Sequence, residues 1–298
     1  MVILITGASG FIGTKLLEKL LLSNAEIIAL SRSAMPVELN LHHNLYWYTC
    51  DLVKDDIDIS IFPKIDVVIH LAGATLGAGT DENYYLQANE QTVVRVFQAL
   101  AEHCNLFIFA SSQVVYGDAK DLSVTEKHSL LPGESAYACS KLNSENWLKW
   151  FQKRYGGAYI VLRFCGFIDG GGIVDYLIHS ALADKPIELF SNGLVRRDYI
   201  HSFTGIKAII SAIQYKGEDG FIPINIGSGQ AVSTQELSEI ICDELNSSSQ
   251  IRTTEHLSPQ GDFVFSIERA KQLLNFDPGN LKDEVQQYAK SEKIRIHG

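Results

Sequence analysis

Through the first half of the chain, short runs of uniformly apolar residues alternate with stretches whose apolar positions return every three or four residues. Residues 2–6, 26–30, 45–49, 66–71, 106–110 and 159–162 are compact apolar runs of strand length. Between them, residues 13–22, 90–102 and 138–154 have helical spacing, with Val93, Val94, Phe97 and Leu100 in the second helix as its apolar positions. Strands that are apolar throughout are buried on both faces, and strands alternating with helices predict a parallel sheet. The expected class is α/β, with a doubly wound parallel sheet.

The pattern changes after residue 165. Residues 165–172 are rich in glycine, and irregular pieces then mix with helical spacing at 174–183, 234–245 and 267–274. Residues 1–165, rejoined by parts of 198–226, are expected to form the first domain. Residues 166–298 mainly form a smaller C-terminal substrate lobe over the sheet's carboxyl edge. A single continuous domain with long insertions is the alternative. No Pro/Ser-rich linker or internal repeat separates the parts.

Composition narrows the class. The 298 residues are 46% hydrophobic and 20% charged, ordinary for a globular chain. A net charge of −10 argues against a nucleic-acid partner, which needs a basic stripe, but leaves room for local arginines on a diphosphate. Cys50, Cys104, Cys139, Cys165 and Cys242 are scattered, odd in number and without a C-x-x-C pair, so neither a disulfide framework nor a metal site is expected. The first apolar run is too short for a signal peptide, and no run reaches the length of about 18 residues that a membrane span requires. A cytoplasmic protein with no membrane partner is the expectation.

The densest local signal follows the first strand: Gly7-Ala8-Ser9-Gly10-Phe11-Ile12-Gly13. A dinucleotide diphosphate needs a sharp turn, bare backbone close to its oxygens and the open N–H groups of a helix N-terminus. Gly7 and Gly10 meet the first demands, and Gly13 lets helix and strand pack closely. The second strand ends Ala29-Leu30-Ser31-Arg32-Ser33, without the acid that would hold an NAD ribose. Arg32 there can pair with a 2′-phosphate, and the Ser31 or Ser33 hydroxyl can add a hydrogen bond. NADP(H) is therefore preferred, with NAD(H) possible.

Tyr137 and Lys141 form a Y-x-x-x-K at the start of the long third helix, on one helical face. An ammonium beside a phenol favours phenolate, so Lys141 is expected to pull Tyr137 down and make it a general acid or base. A second pair, Tyr116 and Lys120, is interrupted by the turn signal Gly117-Asp118 and need not share a face.

These segments together resemble the extended short-chain dehydrogenase/reductase superfamily, the NAD-dependent epimerase/dehydratase family that modifies nucleotide sugars. The glycine turn is similar to that family's G-x-x-G-x-x-G in a Rossmann-type fold, with Phe11 and Ile12 inside it. Cys50-Asp51-Leu52 resembles the segment whose acid faces adenine, and His70-Leu71-Ala72-Gly73 the turn beside the cofactor. Ser111-Ser112-Gln113-Val114-Val115-Tyr116-Gly117 resembles the family's S-S-x-x-V-Y-G, which puts Ser112 at the catalytic hydroxyl and Gln113 against substrate. Asn89 matches the asparagine of the fourth helix, with a structural or proton-relay role. Arg196-Arg197-Asp198-Tyr199-Ile200-His201 resembles R-D-F-I-H, whose arginine, here Arg197, contacts the substrate diphosphate. Asn225-Ile226-Gly227-Ser228-Gly229 resembles a turn read as structural.

The resemblance implies a nucleotide-diphosphate sugar as partner, a homodimer, and hydride chemistry in which Ser112 orients the oxygen, Tyr137 moves the proton, and Lys141 supports Tyr137 and the nicotinamide ribose. Dehydration is disfavoured, because Gln113 and Val114 stand where dehydratases carry acids. Two departures bear on substrate: Arg163-Phe164-Cys165-Gly166-Phe167 lacks the family's asparagine, and Pro259-Gln260-Gly261-Asp262 lacks its arginine. A 4-keto reductase of a nucleotide-linked 6-deoxyhexose is the leading expectation. A 4-epimerase with retained cofactor is the alternative, and a non-catalytic NADP-binding regulator a remote one.

Overall fold

The computed structural model describes residues 1–77, 81–258 and 261–297, so Pro259 and Gln260 lie outside the described residues. The chain divides into two compact units. One comprises residues 1–117, 130–163 and 209–224, the other residues 118–129, 164–208 and 225–298.

The first unit is built on a seven-stranded sheet of β1 (Val2–Thr6), β2 (Glu26–Ser31), β3 (Leu45–Thr49), β4 (Val67–His70), β5 (Leu106–Ser112), β6 (Ala158–Phe164) and β7 (Gly220–Ile226). Their order is β7-β6-β5-β4-β1-β2-β3, the doubly wound arrangement in which the chain reverses direction across the sheet between β1 and β4. The ladder from β3 through β5 is parallel, with Ile3 opposite both Ile27 and Val67. Every residue of β4 and β6 is buried, so this sheet is covered on both faces, as the unbroken apolar runs require. One core cluster joins Leu4, Val68, Phe107 and Val161 to Val93, Phe97 and Leu100 from helix Thr92–Leu100 and Leu148 and Phe151 from helix Ala136–Tyr155.

The second unit has its own core, in which helices Ile173–Leu182, Thr234–Leu245 and Leu281–His297 bury Leu177, Leu237, Ile241 and Val285. Its four-stranded sheet runs in the order Val232–Ser233, Arg196–Arg197, Phe263–Phe265, Asp121–Val124. The last strand explains why residues 118–129, inside the stretch assigned by sequence to the first domain, belong to the second unit. They pair with Phe263–Phe265.

Helix Ser202–Ile213, helix Leu281–His297 and β7 are among the elements with no counterpart in the apolar pattern. β7 carries Pro223 and occupies the sheet's edge, where a missing backbone donor is tolerated. Among the described residues no helix is long and apolar enough to cross a membrane.

Candidate active site

The carboxyl ends of the parallel strands hold most of the chemistry. β1 ends at Thr6, and the chain turns at Gly7 with φ +70°, a conformation glycine adopts without strain. A Cβ at Gly7 would stand 2.6 Å from the Ala72 nitrogen, and one at Gly13 would stand 2.2 Å from the Gly7 carbonyl oxygen. The glycines are thus demanded by backbone crossing backbone. Helix Phe11–Leu20 starts from Gly10, which offers no capping side chain, and its first turn carries no acid. Its leading N–H groups and positive end are therefore suited to phosphate oxygens.

A cleft of about 160 Å³ opens here, lined among others by Gly7, Gly10, Ser31, Arg32, Asp51, Leu52, Leu71, Ala72 and Gly73. These are sequence-predicted cofactor residues, brought together from four strand ends. Phe11, Ile12 and Gly13 do not line this cleft. Phe11 is exposed at the helix start beneath the Lys15 ammonium, and buried Gly13 packs against the turn. Ser31 is buried, its hydroxyl 2.6 Å from Ser9 Oγ and accepting from the Ser33 amide at 3.1 Å. That leaves exposed Arg32 as the cation at this strand end. The Asp51 carboxyl is held below its usual range, chiefly by the Val53 amide.

A second constellation joins the end of β5 to helix Ala136–Tyr155. Ser135 caps this helix by accepting from the Ala138 amide. Tyr137 is half-buried, with its ring 5.7 Å from that of Tyr85. Burial pushes its phenol up, and a hydrogen bond from Ser112 opposes this. The downward pull expected from Lys141 is not what the structure shows. Lys141 is buried, its ammonium donates to the Ala110 carbonyl at 3.0 Å, and burial pulls it down to about 8 against the opposing charge of Glu145. Ser112, Tyr137 and Lys141 are therefore gathered, but the desolvated lysine is itself the more perturbed group.

Asn89 is buried in a π-helical turn, Leu86–Gln91, a one-residue widening that often marks functional sites. Its Oδ1 accepts from the Ala74 amide at 2.7 Å and its Nδ2 donates to Ser140 Oγ at 2.8 Å. It thus ties the turn after β4 to the helix of Tyr137. The other Y-x-x-x-K is dismantled: the Tyr116 hydroxyl accepts from Arg163 Nη1 at 2.7 Å, and Lys120 pairs with Asp118. Gln113 keeps a buried Oε1 with no partner among the described residues.

Within the second unit, a pocket of about 450 Å³ is lined by Arg197, Tyr199, Tyr176 and Phe190, among others. Arg197 is half-buried, donates to the Gly261 carbonyl at 2.8 Å and lies over the Phe263 ring. Burial lowers its pKa, and among the described residues it has no carboxylate ion pair. Arg196, by contrast, is paired with Asp262 at 2.7 Å.

Sequence reasoning missed the buried pair of Glu145 and Arg163, whose carboxylate accepts from Ser111 beside Ser112. Its only sequence signal was a glutamate four residues after Lys141 on the same helix face.

The chain is 29% identical over 302 residues to the dTDP-4-dehydro-6-deoxyglucose reductase of Escherichia coli, covering 95% of this chain and 94% of that one. It is 25% identical to the UDP-glucose 4-epimerase of Halalkalibacterium halodurans, covering 93% and 91%. Among solved structures, the UDP-glucuronic acid 4-epimerase of Bacillus cereus in complex with NAD superposes with a TM-score of 0.82 at 25% identity, covering 98% of this chain and 99% of that one. The profile of the NAD dependent epimerase/dehydratase family matches residues 3–227. With the glycine turn, the strand-end cleft and the Ser112–Tyr137–Lys141 geometry in place, the chain belongs to the NAD dependent epimerase/dehydratase family.

Proposed function

We propose that the protein is an NADP(H)-dependent oxidoreductase of nucleotide-diphosphate sugars, and that its reaction is reduction of a 4-keto-6-deoxyhexose. The observation that carries this reading is Arg32. It lines the dinucleotide cleft at the end of β2, where residues 29–33 carry no acid, and the Asp51 carboxyl that feels its charge comes from the chain after β3. A cation there favours the cofactor with the extra phosphate.

The cofactor, when bound, supplies the hydride. This chain's residues do the rest. Ser112 donates a hydrogen bond to the sugar oxygen as charge develops on it. Tyr137 holds a proton at its phenol oxygen, because burial keeps that phenol protonated, and passes it to the same oxygen. The buried ammonium of Lys141 then stabilises the phenolate left behind. Arg197, a half-buried guanidinium with no carboxylate ion pair among the described residues, is suited to the substrate diphosphate, with Tyr176, Phe190 and Tyr199 supplying apolar walls. The exposed Trp147 and Trp150 on helix Ala136–Tyr155 support a second copy of the chain as partner, which sedimentation would measure.

The 4-epimerases among the relatives favour one other reading, in which the same groups oxidise and re-reduce the sugar with no net change in the cofactor. The two separate in one assay, the absorbance of NADPH, and separately of NADH, with nucleotide-linked 4-keto-6-deoxy sugars. Consumption of NADPH in proportion to sugar supports the reductase. No net consumption, with cofactor carried through purification, supports the epimerase. Tyr137→Phe should lower turnover by about a thousandfold while leaving cofactor binding in place. Near-normal turnover in that variant would remove Tyr137 from the mechanism.

A further inference from the structure

Ser112 sits at the end of a strand, while Tyr137 and Lys141 sit on a helix. Their alignment depends on whatever fastens those two elements together. A buried network does so, and it grips the chain on both sides of Ser112. Glu145, one helical turn beyond Lys141, accepts from Ser111 Oγ at 2.6 Å and from Arg163 Nε at 3.0 Å through Oε1, and from Arg163 Nη2 at 2.6 Å through Oε2. Arg163 in turn donates to the Tyr116 hydroxyl at 2.7 Å, and Tyr116 closes the turn Gln113–Tyr116 that follows Ser112. Glu145 and Arg163 are each 2% exposed.

A buried ion pair is a poor source of stability, because desolvation offsets most of its attraction, and apolar residues of similar volume often serve as well. Its value lies in fixed geometry. Here both carboxylate oxygens and three guanidinium nitrogens are committed, which leaves one arrangement of strand end, turn and helix. We propose that Glu145, clamped by Arg163, is a positioning residue for the reaction: it holds Ser112 in place through Ser111 on one side and, by way of Arg163, Tyr116 on the other, and it is the buried anion that faces Lys141. This rests on the reading of Ser112, Tyr137 and Lys141 given above.

The charge environment agrees. The titratable groups around Lys141 are His70 on β4, Tyr137 and Glu145 on its own helix, and Tyr116 and Arg163 beyond. His70 is fully buried and held down to about 3, so it is neutral near pH 7. Burial pushes the Tyr137 phenol up, which leaves Glu145, paired with Arg163, as the one carboxylate in this set.

The test follows the titration of Lys141 directly, by NMR of protein labelled at the lysine side-chain carbons, with the signal assigned by its loss in Lys141→Arg. Glu145→Gln should move the Lys141 midpoint down by roughly one pH unit or more, and Glu145→Asp should restore most of the shift. If Glu145→Gln does not fold, Glu145→Asp is read alone and should show a smaller downward shift. An unmoved midpoint in the folded variant overturns the proposal. Ser111→Ala keeps the ion pair and cuts only the tether. It should lower kcat roughly tenfold or more with KM for the cofactor unchanged, and wild-type kcat would equally overturn the proposal. The midpoint needs no substrate, so it stands apart from the functional reading, which fails if Tyr137→Phe keeps its turnover.

Discussion

Glu145 and Asp198 are both carboxylates removed from water, one in each unit, and the protein satisfies them in opposite ways. Glu145 faces a guanidinium and shares its charge bidentately. Among the described residues Asp198 has no cation in an ion pair with it. It accepts instead from the Ser228 amide at 2.8 Å, the Ser228 hydroxyl at 2.5 Å, the Phe265 amide at 3.1 Å and the Gly229 amide at 3.2 Å. Burial outweighs those four donors, and Asp198 is pushed up to about 6. The comparison shows that hydrogen bonds can orient a buried carboxylate while leaving its ionisation sensitive to pH. A fixed charge also locks its ionisation. Hydrogen bonds alone suit a turn that only has to keep its shape, as at Asp198. A paired charge suits a place where a lysine's charge depends on a neighbour, as at Glu145.

The largest effect expected from breaking this contrast comes from Arg163→Met. It strands Glu145 as a buried anion and should cost about 3–5 kcal/mol in urea unfolding. The double variant Arg163→Met/Glu145→Leu should recover most of that. A single variant as stable as wild type would mean that Glu145 simply takes up a proton.

Asp198 should show itself through pH. Folded Asp198 keeps its proton up to about pH 6, whereas the unfolded side chain releases it near its ordinary 3.8. Between those values the folded state binds more protons, so this group's contribution falls as pH rises through the window and is flat above it. The full change is about 3 kcal/mol. Asp198→Asn should abolish that slope relative to wild type, whatever its offset. Equal slopes would place the ionisation elsewhere.

Arg32 is the exposed counterpart of these buried charges. Arg32→Asp should shift the ratio of dissociation constants for NADPH and NADH by about a hundredfold toward NADH. An unchanged ratio would mean that the guanidinium does not reach the phosphate. The smallest effect belongs to a helix cap. Ser233 and Glu236 form a reciprocal capping box at helix Thr234–Leu245, and Ser233→Ala should cost about 1 kcal/mol in thermal unfolding.

The first unit was the more legible in sequence, for a physical reason. Strands buried on both faces must be apolar at every position, so β1, β2 and β4 stand out as unbroken runs, and the glycines after β1 are fixed by backbone clashes that admit no Cβ. Helix Ala136–Tyr155 followed from its Tyr–Lys spacing and its aromatic residues. Helix Ser202–Ile213 was missed even though Ile206, Ile209, Ile210 and Ile213 fall at helical spacing, because Gly205 interrupts its first turns. Glu145 and Arg163 lie 18 residues apart on a helix and a strand, and no periodicity links them. The widened turn around Asn89 also has no composition of its own. The sign of the Tyr137 shift could not be read from spacing, because it turns on how deeply Tyr137 and Lys141 are desolvated.

Pro223 carries a consequence for how this chain behaves at high concentration. In β7 the Gly220 amide points inward, donating to Gly157, so the amides at alternate positions 221, 223 and 225 point out along the sheet's free edge. Position 223 has no N–H to offer, and the Asn225 amide is already donated to the Glu126 carboxylate at 2.8 Å. An incoming strand would find this rim short of donors, so growth of the sheet from one molecule into the next is blocked at that border. Replacing Pro223 with a residue that restores the missing amide would reopen it to self-association.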